Sequence, residues 1–112
     1  MKHAICILLV ILSVGAMESN ARTLIGDISC QQWLDGKNKP ADAATYTSWL
    51  QGYLSGANAM YENLLSKGIL NSESKISVAE WTDLYCQKYP KSMLHDSADA
   101  LIKSLLENMP YF

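Results

Sequence analysis

The chain has 112 residues, of which 49% are hydrophobic and 18% are charged, and its formal net charge is −2. This length fits a single domain, and the charge balance gives no basic surface that would attract nucleic acid. Three tryptophans and six tyrosines are available for a core, which excludes a disordered chain. Composition therefore predicts one globular domain without a nucleic-acid partner.

The first 21 residues have the pattern of an export signal. Lys2 precedes an uncharged apolar run from Ala4 to Val14, roughly half the ~20 residues that a membrane-spanning helix needs. Small residues favour cleavage after Ala21, with a cut after Ala16 as the other site, and a short buried helix is the alternative to a leader. We expect a mature domain of residues 22–112 that is periplasmic or secreted and makes no stable membrane insertion.

Two cysteines, Cys30 and Cys86, remain after removal of a leader that carries the third. In an oxidising compartment such a pair predicts one disulfide, and closure of a loop this long stabilises a domain by about 4 kcal/mol. A metal site is the weaker interpretation, because His95 is the only histidine of the mature chain and cannot complete a four-ligand shell. A catalytic thiol would need a basic partner, and a lone histidine on a helix is typical of a surface position.

Apolar residues recur at steps of three and four along the mature chain and predict helices, with no alternation typical of strands. The first predicted helix is short and has Asp27 or Ser29 as its N-cap. The second is the longest, from about Asp42 to Lys67, and closes at Gly68. Its buried stripe is predicted at six positions: Tyr46, Leu50, Tyr53, Ala57, Met60 and Leu64.

Two more predicted helices follow a polar loop at residues 71–75. Ser77 and Glu80 form a capping box at the start of the third helix, which Pro90 stops. The fourth helix begins near Ser92 and ends at residues 108–110. Its apolar face is predicted at Leu94, Ala98, Leu101, Ile102, Leu105 and Leu106. The predicted fold class is all-α, a compact four-helix domain held by one disulfide.

Small residues line one side of the second helix: Thr45, Ser48, Gly52, Ser55, Gly56 and Ala59. A glycine inside a helix costs about 1 kcal/mol relative to alanine, so Gly52 and Gly56 need a structural reason. We expect the third helix or Trp33 to pack against them. The alternative is that this side meets a second subunit or a client. A membrane-dimer motif is excluded, because Asp42 and Glu62 lie on the same helix.

The sequence contains no catalytic or nucleotide-binding motif. We therefore predict no enzymatic activity, no cofactor and no metal. Asp83, Asp96 and Asp99 are assigned to solvated helix faces, with Lys103 pairing Asp99 at the next turn. The residues proposed for packing or for an interface are aromatic or small: Trp33, Trp49, Gly52, Tyr53, Gly56, Trp81 and Tyr85.

Three segments of the chain together resemble the HdeA/HdeB family of periplasmic proteins. They are CQQWL at residues 30–34, WLQGY at residues 49–53, and Tyr85-Cys86 ahead of Pro90. Members of that family are small, exported, all-helical and held by one disulfide. The resemblance implies a chaperone that works without ATP under acid stress, binds unfolded client proteins and forms a homodimer at neutral pH.

The same resemblance implies how acid would act. At low pH the ten carboxylates of residues 22–112 protonate while eight Lys and Arg side chains and His95 stay charged, so the net charge rises from −2 to about +9. Self-repulsion would loosen the assembly and expose apolar surface, while the disulfide holds the chain together. The skeleton is also similar to immunity proteins that neutralise type VI secretion amidase toxins, which implies instead a binder of one secreted toxin or cell-wall hydrolase.

Overall fold

The structure is a computed structural model and describes residues 24–70 and 77–109. They form four helices in this order: α1 (Cys30–Gly36), α2 (Pro40–Leu65), α3 (Val78–Lys88) and α4 (Leu94–Glu107). The two described ranges contain no strand, and a single bridge joins Ser29 to Met93. The prediction of an all-α, four-helix domain is confirmed. The predicted leader and the polar loop at residues 71–75 lie outside the described residues.

Serine side chains begin α1 and α3 as predicted. The Ser29 hydroxyl accepts a hydrogen bond from the Gln32 N–H at 3.1 Å, and the Ser29 N–H donates to the Gln32 side chain at 2.9 Å. Ser29, and not Asp27, is therefore the cap of α1. At α3 the Ser77 hydroxyl accepts from the Glu80 N–H at 3.3 Å, which satisfies one N–H of the first turn.

The bounds of α2 differ from the prediction at both ends. Pro40 belongs to the first turn, where its fixed φ suits a helix. Its lack of an N–H costs nothing there, because N–H groups of the first turn have no acceptor within the helix. At the other end Ser66 takes a left-handed φ of 56°, so the helix ends before Lys67, and Gly68 is not the residue that closes it. Ile69 then turns back into the core, where it is buried.

The core surrounds the disulfide between Cys30 of α1 and Cys86 of α3, which are 56 positions apart and fully buried. The predicted disulfide is confirmed. The second helix contributes Leu50 and Leu54, and α4 contributes a continuous buried stripe. That stripe consists of Leu94, Ala98, Leu101 and Leu105. The core thus lies where α2 packs on α1 and α4, and where α3 packs on the same two helices.

The predicted apolar stripe of α2 is buried only in part. Leu50 and Leu54 are each 2% exposed, but Met60 is 50% exposed and Leu64 is 70% exposed. The expectation that Met60 and Leu64 are buried is therefore wrong. The physical reason is length, because α2 has 26 residues and α4, the helix packed along it, has 14.

Candidate functional site

An open groove of about 630 Å³ lies between α2 and α4. On the α2 side it is lined by Gly52, Tyr53, Gly56, Ala57, Met60 and Tyr61. On the α4 side it is lined by Asp99, Ile102, Lys103 and Leu106. The lining is mostly apolar, with one acid and one base on its α4 wall. Such a groove has the dimensions and chemistry to hold a helix or an extended segment of another protein.

Gly52 and Gly56 both face open space. A Cβ atom built on either glycine would meet no neighbouring atom within 4 Å. The expectation that the third helix or Trp33 packs against them is therefore wrong. The reason is that α3 packs on α1 and α4, while Trp33 is buried against α3 through a bond to Asp83. No contact in the described part of the chain explains the cost of two glycines inside α2.

A second apolar depression, of about 330 Å³, continues the groove toward the start of α2 and shares Gly52 and Tyr53 with it. The Trp49 indole N–H donates to the Ile25 carbonyl oxygen at 2.6 Å, and its ring stacks on Tyr53 at 5.3 Å. The segment before α1 crosses this indole at Gly26, whose φ is +80°. A Cβ there would lie 2.7 Å from the Trp49 ring, so the close approach requires glycine.

Asp83 joins α3 to α1. Its carboxylate accepts a hydrogen bond from the Trp33 indole N–H at 2.9 Å and lies 2.5 Å from the Lys37 ammonium. The prediction that Asp83 belongs to a solvated helix face is therefore wrong. The carboxylate satisfies the one polar atom of a buried tryptophan, and the lysine beside it supplies the opposite charge.

Asp99 joins α4 to α2. Its carboxylate accepts a hydrogen bond from the Tyr53 hydroxyl at 2.6 Å, at the wall of the groove. This residue too is partly buried, contrary to the prediction of a solvated face. The bond crosses between the two helices that form the groove, so Asp99 helps to set the width of the groove.

Asp27 joins the segment before α1 to the first turn of α4. One oxygen accepts the His95 N–H at 3.2 Å and the other lies 2.5 Å from Nδ1 of the same histidine. Nε2 of His95 lies 3.2 Å from Asp96. The His95 side chain is only 14% exposed, so the prediction of a surface histidine is wrong. The imidazole is held between two carboxylates, and Asp27 also caps α4 from outside that helix.

The seven residues proposed for packing or an interface divide into two groups. Gly52, Tyr53 and Gly56 line the groove, and Trp49 lies in the depression beside it. Trp33, Trp81 and Tyr85 belong to or pack against the core that contains the disulfide. The Trp33 indole N–H donates to Asp83, and the Trp81 indole N–H donates to the Ser97 carbonyl oxygen at 3.1 Å. The ring of Tyr85 lies 4.9 Å from that of Tyr89 between centres.

Sequence reasoning missed the α4 wall of the groove as well as the exposure of Met60. One signal was available, because residues 43–61 contain no charged side chain at all. A helix of this length that lies on a surface usually has charged residues on its outer face. The uncharged run therefore indicated that part of the outer face of α2 is a binding surface.

The described ranges hold no group of three His, Cys, Asp or Glu side chains that could bind a metal ion. Within them, too, no helix combines the length and the apolar character needed to cross a membrane. Comparisons of the chain with family models, with curated proteins and with solved structures find no match.

Proposed function

We propose that this chain is an exported chaperone of the HdeA type, which works without ATP and binds unfolded proteins when the surroundings become acidic. The observation that carries the proposal is the set of three aspartates that each join two different elements. Asp83 joins α3 to α1, Asp99 joins α4 to α2, and Asp27 joins the segment before α1 to α4. Acid strong enough to protonate carboxylates would remove the negative charge on which these contacts depend.

The partners of these aspartates determine what acid does. Lys37 lies beside Asp83 and His95 beside Asp27. A basic group beside a carboxyl group that has become neutral loses the opposite charge that balances it. The net charge of residues 22–112 rises at the same time to about +9. Both effects weaken the contacts between helices, and two of the three aspartates hold α4.

Loosening of α4 would expose apolar surface suited to unfolded clients. The side chains that α4 buries are Leu94, Ala98, Leu101 and Leu105, and the residues of α2 beneath them are Leu50 and Leu54. The groove beside them is already apolar. At neutral pH the chaperone would be a homodimer that covers apolar surface.

The test compares the purified, oxidised protein at about pH 7 and about pH 2. At the lower pH we expect it to suppress the aggregation of a client enzyme that unfolds in acid, measured by light scattering, and to bind an apolar dye. Unchanged client aggregation at the lower pH would contradict the proposal. A chaperone with permanently exposed surface would instead act equally at both pH values.

Two tyrosines of α2 give a matched pair for the mechanism. Tyr53→Phe removes the hydroxyl that bonds Asp99, so we expect dye binding to begin at a higher pH. Tyr61→Phe removes the same hydroxyl from a residue that lines the same groove and bonds no aspartate within the described ranges, so the onset should not move. Equal behaviour of the two variants would remove Asp99 from the mechanism.

One observation favours a second candidate, an immunity or inhibitor protein that binds one secreted toxin or cell-wall hydrolase. The groove is open in the folded chain, and Met60 and Leu64 at its end are exposed without any opening of the helices. Such a protein would bind its target at neutral pH. The test is whether the protein inhibits, at neutral pH, a hydrolase encoded beside this gene. Inhibition by the wild type and its loss in Gly56→Leu would support this candidate over the chaperone.

A further inference from the structure

We infer that a cavity between α1, α2 and α3 binds a small zwitterion of the α-amino acid class. The cavity measures about 180 Å³ and is lined by residues of all three helices. It shares no lining residue with the groove between α2 and α4 or with the depression beside that groove. A small molecule bound there would be a second ligand of the domain, besides the proteins of the proposed function.

Two aromatic rings form apolar walls of the cavity. Trp33 of α1 is 7% exposed, and Tyr46 of α2 is half-buried. The Tyr46 ring lies against the end of α1 at Gly36, where a Cβ atom would be only 2.7 Å from the ring. A glycine at that position therefore lets the ring approach α1. Aromatic and apolar walls with a few polar groups are typical of small-molecule sites.

Alanines from two helices leave the space of the cavity open. Ala43 lies near the start of α2 and Ala79 in the first turn of α3, and both line the cavity. Its volume of about 180 Å³ lies below the ~300 Å³ at which pockets for drug-sized ligands begin. The space therefore suits a molecule of the size of an amino acid.

An ion pair supplies the charged groups of the lining. The Lys37 ammonium lies 2.5 Å from one oxygen of Asp83, and the other oxygen accepts the Trp33 indole N–H at 2.9 Å. Asp42 and Glu80, next to the lining alanines in the sequence, do not line the cavity. An ammonium has three donors and a carboxylate oxygen accepts two hydrogen bonds. Within the described ranges, both members of the pair therefore keep capacity to bind a ligand.

A paired acid and base select a ligand that carries both charges. A carboxylate bound to Lys37 lies beside Asp83, and an ammonium bound to Asp83 lies beside Lys37, so a ligand with a single charge meets a group of its own sign. A zwitterion places its carboxylate at Lys37 and its ammonium at Asp83, and opposite charges then alternate. An α-amino acid carries both groups on one carbon atom, which suits two partners that contact each other. Its side chain would lie on the aromatic walls.

The experiment follows the indole N–H signal of Trp33 in proton–nitrogen correlation spectra of the oxidised chain at neutral pH while L-leucine is added. The bond from this indole to Asp83 makes the signal sensitive to a ligand at the carboxylate. Spectra of Trp49→Phe and Trp81→Phe identify the signal, because each lacks one of the other two indoles. We expect a shift of the Trp33 signal with half-saturation on the order of 1 mM, while the other two signals stay in place. No shift up to about 50 mM overturns the inference.

Two analogues of leucine test the selection by charge. Isopentylamine has the side chain and the ammonium without the carboxylate, and isocaproate has the side chain and the carboxylate without the ammonium. Each should bind at least about tenfold more weakly than L-leucine. If either analogue binds as tightly as L-leucine, the cavity does not recognise a zwitterion.

Two neighbouring alanines of α2 test the place of binding. Ala43→Met puts a longer side chain into the cavity and should abolish the shift of the Trp33 signal. Ala44→Met makes the same change at an exposed position outside the lining and should leave binding as in the wild type. Melting temperatures verify that both variants fold. Binding that is kept in both folded variants, or lost in both, overturns the location.

One substitution tests the roles of the two charges. Lys37→Met leaves Asp83 without its cation, so the preference should pass from L-leucine to isopentylamine, which brings only an ammonium. Lys39→Met, at an exposed position outside the lining, is the matched control and should keep the preference for L-leucine. A Lys37→Met variant that still prefers L-leucine overturns the assignment of the carboxylate to Lys37.

Discussion

The two sides of this small domain differ in how they are held together. On the disulfide side, α1, α3 and the first turn of α4 are joined by the Cys30–Cys86 bond and by the contacts of Asp83 and Asp27. On the groove side, the second half of α2 and the end of α4 leave an open groove between them. The covalent and polar contacts that fix the helices and the open apolar surface thus lie in different regions of the same small domain.

The largest expected effect comes from breaking the disulfide side. Replacing both Cys30 and Cys86 by alanine should lower the free energy of unfolding by about 4 kcal/mol, because the unfolded chain regains the freedom of a long open loop. Both side chains are fully buried, so small cavities add to the loss. Denaturant unfolding of the oxidised wild type and of the variant measures the difference, and a loss below about 1 kcal/mol would contradict it.

Two leucines of α2 compare the sides directly. Leu54→Ala should cost about 3 kcal/mol, because this side chain is 2% exposed in the core. Leu64→Ala lies ten positions further along the same helix, where the side chain is 70% exposed, and should stay within about 0.5 kcal/mol of wild type. Similar losses at both positions would mean that the end of α2 is covered within the monomer.

Asp27 tests the polar contacts of the disulfide side. Asp27→Asn removes the charge that faces His95 and places an NH2 group, itself a donor, among groups that donate to the carboxylate. The free energy of unfolding should therefore fall by about 2 kcal/mol. Asp35→Asn is the control, since Asp35 is exposed and its hydrogen bond within the described ranges is to Gln31 of its own helix. Thermal unfolding of both variants is measured at neutral pH. Equal melting temperatures would mean that the Asp27 contacts do not stabilise the domain.

The smallest effect is a gain. The Ser97 hydroxyl is fully buried and has no hydrogen-bond partner among the described residues, so Ser97→Ala should stabilise the domain by about 1 kcal/mol beyond helix propensity. Ser104→Ala on the same helix measures the propensity term alone. If Ser97→Ala proves no better than the control, a partner of the hydroxyl exists that the described contacts do not include.

Local chemistry made the helices of this chain predictable. The Ser77 cap, the Ser29 cap and the helical spacing of Leu94 to Leu106 each depend on a few neighbouring residues, and all appear in the structure. The two-cysteine pattern added the one long-range contact, Cys30 to Cys86.

The groove could not be predicted, because it depends on where one helix ends against another. Met60 and Leu64 follow the same helical spacing as Leu50, yet only Leu50 is buried. Spacing shows which residues lie on one side of a helix, but it does not show how far the neighbouring helix extends along that side. The roles of Asp83 and Asp99 were hidden for a related reason. Their partners, Trp33 and Tyr53, are 50 and 46 positions away in the sequence.

The place of the disulfide in the chain order has a mechanical consequence. Cys30 and Cys86 close a covalent ring that contains α1 and α2 and most of α3, and α4 follows this ring as a free tail. If α4 detaches, the disulfide still keeps Cys30 and Cys86 together, so the other helices cannot separate fully. Closing then requires only that one segment of 14 residues packs again on the rest, so less chain entropy is lost than in folding of the whole domain.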